Sequence, residues 1–174
     1  MTIESGAAVR SSDLLDPIHV ISLGAGVQSS CLALMAAKGE ITPMPKAAIF
    51  ADTGNEPQAV YDYLNYLEKL LPFPVVRVSE RMTLWQDSVR VITSNGKNKG
   101  KKYLKGMIPA FLEENGKKTG LLGRRCTQTH KIEPIIRAIK KLAGVKRGGK
   151  RVIGIQWIGI SYDEIIRMKG SRKP

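Results

Sequence analysis

The sequence predicts an α/β protein with a Rossmann-like, doubly wound parallel sheet, and two observations lead to this fold class. Short apolar segments alternate with longer segments of helical periodicity from Ile18 to Val78. That alternation is typical of parallel strands joined by crossover helices. A Gly-rich turn follows the first apolar segment, at a place where such folds bind anions. A length of 174 residues is most simply one domain.

The first half of the chain has clearly bounded elements. Gly39 ends the first helical segment, Pro57 suits the first turn of the second, and Pro72 and Pro74 stop it. The predicted elements, in order, are a strand at 18–23, a helix at 28–38, a strand at 47–51, a helix at 57–71 and a strand at 75–78.

The second half is less regular. We predict a helix within 82–91, then a basic insertion at about 94–120 that is rich in Gly, Asn and Lys and serves as a lid or binding loop. A helix at 132–142 and a buried strand at 152–160 complete the domain, which spans 18–174. Residues 1–17 are small, polar and aperiodic, which predicts a flexible arm.

Composition excludes several classes of protein. Cys31 and Cys126 are the two cysteines, too few for a disulfide framework or an intramolecular four-cysteine iron–sulfur cluster. The chain has no secretory signal at its start and no apolar run of the roughly 20 residues that cross a bilayer. We therefore expect a cytoplasmic protein with no membrane partner, in the host cytoplasm if a phage encodes it.

Charge is divided unevenly along the chain. Residues 1–90 hold 7 Lys and Arg against 10 Asp and Glu, whereas residues 91–174 hold 21 against 5, so the two parts carry net charges of −3 and +16. The basic half is expected to attract a nucleotide, a nucleic acid or both. For the lysines at 97–105, a solvated surface explains the sequence equally well.

The turn after the first strand is the strongest candidate site. Its small residues allow a tight curl, and the first N–H groups of the following helix lack intrahelical partners and can face an anion. It has no Gly-Lys-Ser/Thr ending of a Walker loop, and a tight turn that merely needs small residues remains an alternative. The candidate ligand-binding residues are Ser22, Gly24, Ala25, Gly26, Val27, Gln28, Ser29 and Ser30.

Other candidates lie near the ends of the remaining strands. Asp52 and Thr53 follow the second strand, and Asp52 is either a ligand contact or a helix cap. Cys126 stands among Arg124, Arg125, His130 and Lys131, and cations raise the thiolate fraction of a nearby cysteine, although a buried structural cysteine is the alternative. His130 is a base, a phosphate ligand or a plain surface residue. Cys31 is expected in the core.

A last group follows the final strand. Gly159 and Ser161 would flank the same crevice as the first turn. Arg167 and Lys169 are candidates for holding a phosphate or sulfate, although Arg167 can equally pair with Asp163 one helical turn earlier.

These motifs together resemble a known family. The run Gly24-Ala25-Gly26-Val27-Gln28-Ser29 resembles the pyrophosphate loop Ser-Gly-Gly-x-Asp-Ser of the adenine-nucleotide alpha-hydrolase (PP-loop) superfamily, with Gly24 for the first serine and Gln28 for the acid. The resemblance is closest to its phosphoadenosine-phosphosulfate (PAPS) reductase branch, of the short phage and bacterial type. It is carried by Asp52-Thr53-Gly54, Cys126-Thr127, Lys131-Ile132-Glu133-Pro134, Gly159-Ile160-Ser161-Tyr162-Asp163-Glu164 and Arg167.

The resemblance implies a strand order of about 3-2-1-4-5 and an adenine nucleotide as ligand, either ATP, with Mg²⁺, or a PAPS- or APS-type sulfonucleotide. The implied enzyme is a PAPS reductase-like oxidoreductase, or a pyrophosphatase or sulfurtransferase that cleaves ATP to AMP and pyrophosphate. Cys126, Arg125 and Lys131 are its catalytic candidates. Relatives usually continue past this arginine-rich end, which implies a C-terminally truncated form.

Partners and alternatives complete the expectations. The family allows a thioredoxin-like electron donor and a homo-oligomer. Two other functions compete: a DNA or tRNA sulfur-modification factor that grips nucleic acid through its basic half, and a non-catalytic nucleotide-binding protein.

Overall fold

The computed structural model describes residues 17–91, 96–97, 99–104, 107, 111–121, 125–145 and 154–167. The first five elements confirm the predicted alternation, with bounds within two residues of those expected. They are strand β1 (Ile18–Leu23), helix α1 (Val27–Ala37), strand β2 (Ala47–Asp52), helix α2 (Gln58–Leu70) and strand β3 (Val75–Ser79). The predicted arm at 1–17 lies outside the described residues except for Pro17.

The middle of the chain differs from the prediction. The helix expected within 82–91 is only the short α3 (Leu84–Ser88), and it is followed by strand β4 (Val89–Val91), which pairs antiparallel with β5 (Lys102–Leu104). Strands β6 (Phe111–Glu114) and β7 (Lys117–Leu121) form a hairpin. Asn115 and Gly116 both have positive φ at its tip, the geometry that Asn-Gly turns favour. The described parts of the segment 94–120 are thus largely paired strands.

Four elements follow. They are a π-helix (Thr127–Ile132), helix α4 (Glu133–Leu142), strand β8 (Gly154–Ile158) and a 3-10 helix (Tyr162–Arg167). The predicted helix at 132–142 and the predicted last strand are both confirmed, with shorter bounds. The basic run 146–151 lies outside the described residues.

The main sheet is parallel and four-stranded over the described residues, in the order β3-β2-β1-β8. Ser22 of β1 pairs with Ile49 of β2 on one side and Ile158 of β8 on the other. The last strand therefore returns to lie beside the first, and the strand order reverses at that point. The first four positions of the expected order 3-2-1-4-5 agree, and a fifth strand is not present among the described residues.

Helices cover both faces of the sheet. Ile21 and Phe50 pack on one face against α1 and α2, including Leu64 and Leu67. Val20, next to Ile21 in the strand, packs on the opposite face in a cluster with Ile135 and Ile139 of α4, among others. Successive strand residues point to opposite faces, so both faces of β1 are buried.

Strand β8 is an exception to this burial. The sequence predicts a buried strand, but Ile158 is 61% exposed and Ile155 is also exposed. Within the described part of the chain, β8 pairs on one edge only, with β1. An edge strand has fewer neighbours to cover its side chains, and this accounts for the error. None of the helices in the described ranges has the length and apolar character needed to span a membrane.

Candidate functional site

The turn between β1 and α1 is built from backbone. The left-handed residue in it is Ala25, with φ 54°, whereas Gly26 has an ordinary φ of −92°. Gly26 is the N-cap of α1 and supplies no side-chain cap. The N–H groups of the first helical turn have no carbonyl four residues earlier to bond within the helix. This matches the geometry that the sequence predicts, except that alanine adopts the unusual conformation.

Ser29 fastens this turn internally. Its Oγ accepts the N–H of Gly24 at 3.1 Å and donates to the carbonyl of Gly26 at 3.1 Å. Ser30 is buried, and its Oγ has no hydrogen-bond partner among the described residues. The two hydroxyls that the sequence marks as ligand contacts therefore differ: one closes the turn and the other lies inside the protein beside it.

Gly159 brings the end of β8 against the same turn. A Cβ added at Gly159 would lie 2.6 Å from the backbone C and O of Gln28 and 2.7 Å from the N of Ser29. A side chain does not fit there, so the backbone after β8 runs directly along the first turn of α1. Two groups of residues that the sequence predicts as one site are thus in contact.

The remaining predicted residues of this group are less fully defined. Ser161 is half-buried, and its carbonyl accepts the N–H of Glu164 at the start of the 3-10 helix. The backbone of Arg167 ends that helix, and Lys169 lies outside the described residues. Their predicted contact with a phosphate or sulfate stays a prediction.

The end of β2 holds the second part of the site. Asp52 Oδ1 accepts the hydroxyl of Tyr61 at 2.7 Å and the N–H of Gly54 at 2.7 Å. The bond to the Asp52 carboxylate is the main cause that raises the pKa of Tyr61 above its ordinary value of 10.0, since it favours the protonated hydroxyl. Asp52 thus fixes a turn rather than capping α2, whose N-cap is Pro57. The sequence reasoning missed Tyr61.

Thr53 links this turn to a predicted catalytic residue. Thr53 is buried, and its Oγ1 donates to Glu56 Oε1 at 3.1 Å. The same Glu56 oxygen lies 4.0 Å from the Nζ of Lys131 on the π-helix. Glu56 was not among the expected residues, yet it joins Thr53 to Lys131.

His130 is not a surface residue. It is 1% exposed, and its Nε2 lies 3.2 Å from Oδ2 of Asp87, which is 4% exposed. The Nδ1 of His130 has no hydrogen-bond partner within the described ranges. Sequence reasoning missed Asp87.

The two cysteines lie in different settings. Cys126 is half-buried, its N–H donates to the carbonyl of the buried Met107 at 3.0 Å, and Arg125 beside it is exposed. Cys31, expected in the core, is exposed, because the side of α1 that faces the sheet is filled by Ala33 and Ala36. Cys31 lines a shallow cavity of about 410 Å³ whose lining includes neither Gly24–Gly26 nor Asp52–Gly54.

The described lysines of the basic insertion are exposed. Lys118 lies 5.0 Å from the ring centre of the exposed Phe111, and the same hairpin carries Glu113 and Glu114. A nucleic acid on this surface stays a prediction. The other lysines of this insertion whose side chains the structure describes are also exposed, namely Lys97, Lys99, Lys101 and Lys117.

The described side chains near the turn between β1 and α1 offer few ligands for a metal ion. The first turn of α1 carries no acidic residue. Among the described residues, no three His, Cys, Asp or Glu side chains group closely enough to hold a metal. The side chains described therefore do not fit an ion held by the protein alone.

Comparison with known proteins gives little information. No family model and no solved structure matches the chain. The chain is 35% identical over 66 residues to an uncharacterized 37.8 kDa protein in the gpa 5′ region of Escherichia phage 186. That match covers 38% of this chain and 19% of the phage protein, so the chain spans about a fifth of the relative.

Proposed function

We propose that the chain binds an adenine nucleotide across the carboxyl edge of its sheet. The anionic tail, a phosphate or sulfate chain, lies at the first turn of α1, and the nucleoside lies beside the turn after β2. One observation carries the proposal: the close contact of Gly159 with the backbone of Gln28 and Ser29. The contact brings the loops after β1 and β8 together at the point where the strand order reverses, and open α/β sheets bind ligands at such a point.

The first turn of α1 suits the anionic tail. The N–H groups of this first turn point out of the N-terminal end of the helix, and the helix dipole adds partial positive charge at the same end. Gly26 leaves the approach open, since a Cβ at that position would have nothing within 4 Å. The internal bonds of Ser29 fix the shape of the turn, so binding requires little reorganisation.

The turn after β2 suits the nucleoside. The bonds from Tyr61 and Gly54 hold Asp52 through Oδ1, and its second carboxylate oxygen takes part in neither bond. That oxygen would accept a ribose hydroxyl. Lys131, 53% exposed, would contribute positive charge at the same edge.

The reaction would be one of two that the family resemblance implies. The chain would cleave ATP to AMP and pyrophosphate, or it would act on a sulfonucleotide with Cys126 as the thiol. Neutral Gln28 contributes no charge for holding Mg²⁺ on ATP, which favours the sulfonucleotide. A pyrophosphate-release assay distinguishes the two, because only the first reaction produces pyrophosphate.

Isothermal titration calorimetry with ATP, adenosine 5′-phosphosulfate and GTP tests the binding. We expect saturable binding of an adenine nucleotide, weaker by about tenfold or more in Gly26→Val, which corresponds to at least about 1.4 kcal/mol. The control is Cys31→Val, on the exposed side of the same helix, and it should bind as the wild type does. No heat with either adenine nucleotide, or equal binding by Gly26→Val, would contradict the proposal.

A further inference from the structure

We infer that Asp87 and His130 are positioning residues that couple the turn after β2 to the Cys126–Lys131 segment. The inference rests on the proposed function for its purpose, which is to hold both sides of the nucleoside region in one arrangement. The coupling itself is a property of the folded chain and can be tested without a ligand.

The first part of the connection runs from the turn to the π-helix. The carbonyl of Thr53 accepts the N–H of Leu84 at 2.9 Å, which fixes the start of α3 to the turn. Asp87 lies one turn further along α3, and its carboxylate meets His130 on the π-helix. The turn, α3 and the π-helix are therefore connected in series.

The second part returns to the starting residue. Lys131 follows His130 and lies 4.0 Å from Glu56, which accepts the Thr53 hydroxyl. The contacts thus form a closed ring that begins and ends at Thr53. Within a closed ring, a displacement of one member strains the others, so the two sides should move together.

The buried contact is the stronger of the two that reach the π-helix. Glu56 and Lys131 are 26% and 53% exposed, and such ion pairs contribute about 0–1 kcal/mol. Asp87 and His130 are both buried, and removing Asp87 leaves the buried ring of His130 with no hydrogen-bond partner in the described parts of the chain. The coupling therefore depends mainly on the Asp87–His130 pair.

The backbone on both sides of this pair needs an external anchor. A π-helix is rare and usually occurs as a single turn at functional sites, so its wide turn depends on tertiary contacts. The turn after β2 is docked just as closely: Gly54 has φ +71°, and a Cβ there would lie 2.6 Å from Thr83 Cγ2. The Asp87–His130 pair joins two segments that have little freedom to adjust alone.

The second ring nitrogen of His130 favours a positioning role for this residue over a role in filling space. Nε2 lies 3.2 Å from the Asp87 carboxylate, and the polar Nδ1 has no partner in the described parts of the chain. Burying a polar nitrogen without a partner costs free energy, and an apolar side chain of similar size would avoid that cost. A histidine at this position is better explained by the direction of its bond to Asp87 than by the volume it fills.

The test uses alkylation of Cys126 by iodoacetamide, with the exposed Cys31 of the same chain as internal reference. In His130→Leu and Asp87→Leu, we expect Cys126 to react several-fold faster relative to Cys31, on the order of threefold or more, because the segment opens more often. Asp87→Asn keeps an acceptor oxygen and should remain near the wild-type ratio. An unchanged ratio in the folded leucine variants would overturn the inference.

Hydrogen exchange of the wild type keeps the test decisive if the leucine variants do not fold. Amides at 53–56 and 126–132 should share one opening free energy, and clearly different values would contradict the coupling. Adding adenosine 5′-phosphosulfate separates this inference from the proposed function. If the nucleotide protects neither cysteine while the variants still change Cys126, the nucleotide proposal fails and the coupling stands.

Discussion

The two parts of the candidate site lie at the ends of neighbouring strands and are held by different kinds of interaction. The backbone half, Gly24–Ser30 with Gly159, is held by main-chain groups and by one serine hydroxyl. The side-chain half is held by bonds between side chains, and the Asp87–His130 and Glu56–Lys131 contacts among them join residues distant in sequence. Its members are Asp52, Thr53, Glu56, Tyr61, Asp87, His130 and Lys131. The first therefore depends on local sequence and close approach, and the second on tertiary contacts.

The largest effect should come from adding one methyl group to the backbone half. In Gly159→Ala, the new Cβ meets the main chain of Gln28 at 2.6 Å, which cannot give way as a flexible side chain can. Overpacking of this kind costs about 1–3 kcal/mol. Urea unfolding should show that loss, together with weaker nucleotide binding.

Gly26→Ala is the matched control for this substitution. Gly26 has an ordinary φ and nothing within 4 Å of its added Cβ, so no steric cost arises and only the poorer capping by alanine should lower stability, by less than about 1 kcal/mol. If Gly159→Ala and Gly26→Ala destabilised the protein equally, Gly159 would not approach the main chain of Gln28 as closely as the structure indicates.

The next largest effect separates the two serines of the backbone half. Ser29→Ala removes both bonds that fasten the turn and leaves the N–H of Gly24 unpaired, so the free energy of unfolding should fall by about 1–2 kcal/mol. Ser30→Ala removes a hydroxyl that has no partner among the described residues and should be nearly neutral. The reverse order in urea denaturation would refute this assignment of roles.

Tyr61→Phe tests the side-chain half with a smaller change. At neutral pH, loss of the hydroxyl bond to Asp52 should reduce stability by about 0.5–1 kcal/mol. The folded state raises the pKa of Tyr61, so this contribution is fully present below the unfolded value of 10.0 and disappears as pH rises through the folded pKa above it. A difference between Tyr61→Phe and wild type that grows above pH 10.0 would contradict the bond.

The smallest effect should come from Glu56→Gln. The amide oxygen still accepts the Thr53 hydroxyl, and only the partly exposed pairing with Lys131 loses its charge. We expect a change below about 0.5 kcal/mol that vanishes at high salt. A loss several times larger would mean that the ring of contacts depends on this exposed pair and not on the buried Asp87–His130 pair.

The fold could be predicted where local signals are strong. Gly39, Pro57 and Pro72 bound the first two helices, and hydrophobic periodicity identifies what lies between them. The prediction placed a helix within 82–91, of which α3 is the short observed part, but it missed the described strands β4 to β7, whose three to five residues are too short to show a period. Asn115-Gly116 carried a hairpin signal that sequence reasoning did not use. The exposure of β8 depends on what lies beside it, which no local pattern contains.

The candidate site divides in the same way. The turn at Gly24–Ser30 could be predicted because a Gly-rich strand-to-helix turn is a local pattern. Asp87 and Tyr61 could not, because a buried partner 43 residues away in the chain leaves no trace in spacing, and neither does a hydroxyl on the next helix. The prediction that Cys31 is buried was wrong. Its apolar neighbours in the sequence suggest a core position, but the core side of α1 is occupied by smaller alanine side chains.

We propose that one adenine nucleotide contacts both the backbone half and the side-chain half of the site at the same time. Titrating the ¹⁵N-labelled chain with adenosine 5′-phosphosulfate and following its amide signals by NMR tests this most directly. If one nucleotide spans both halves, the amides of Val27, Gln28 and Ser29 and those of Thr53 and Gly54 should shift together with one dissociation constant. Shifts confined to one half, or to residues away from both, would contradict it.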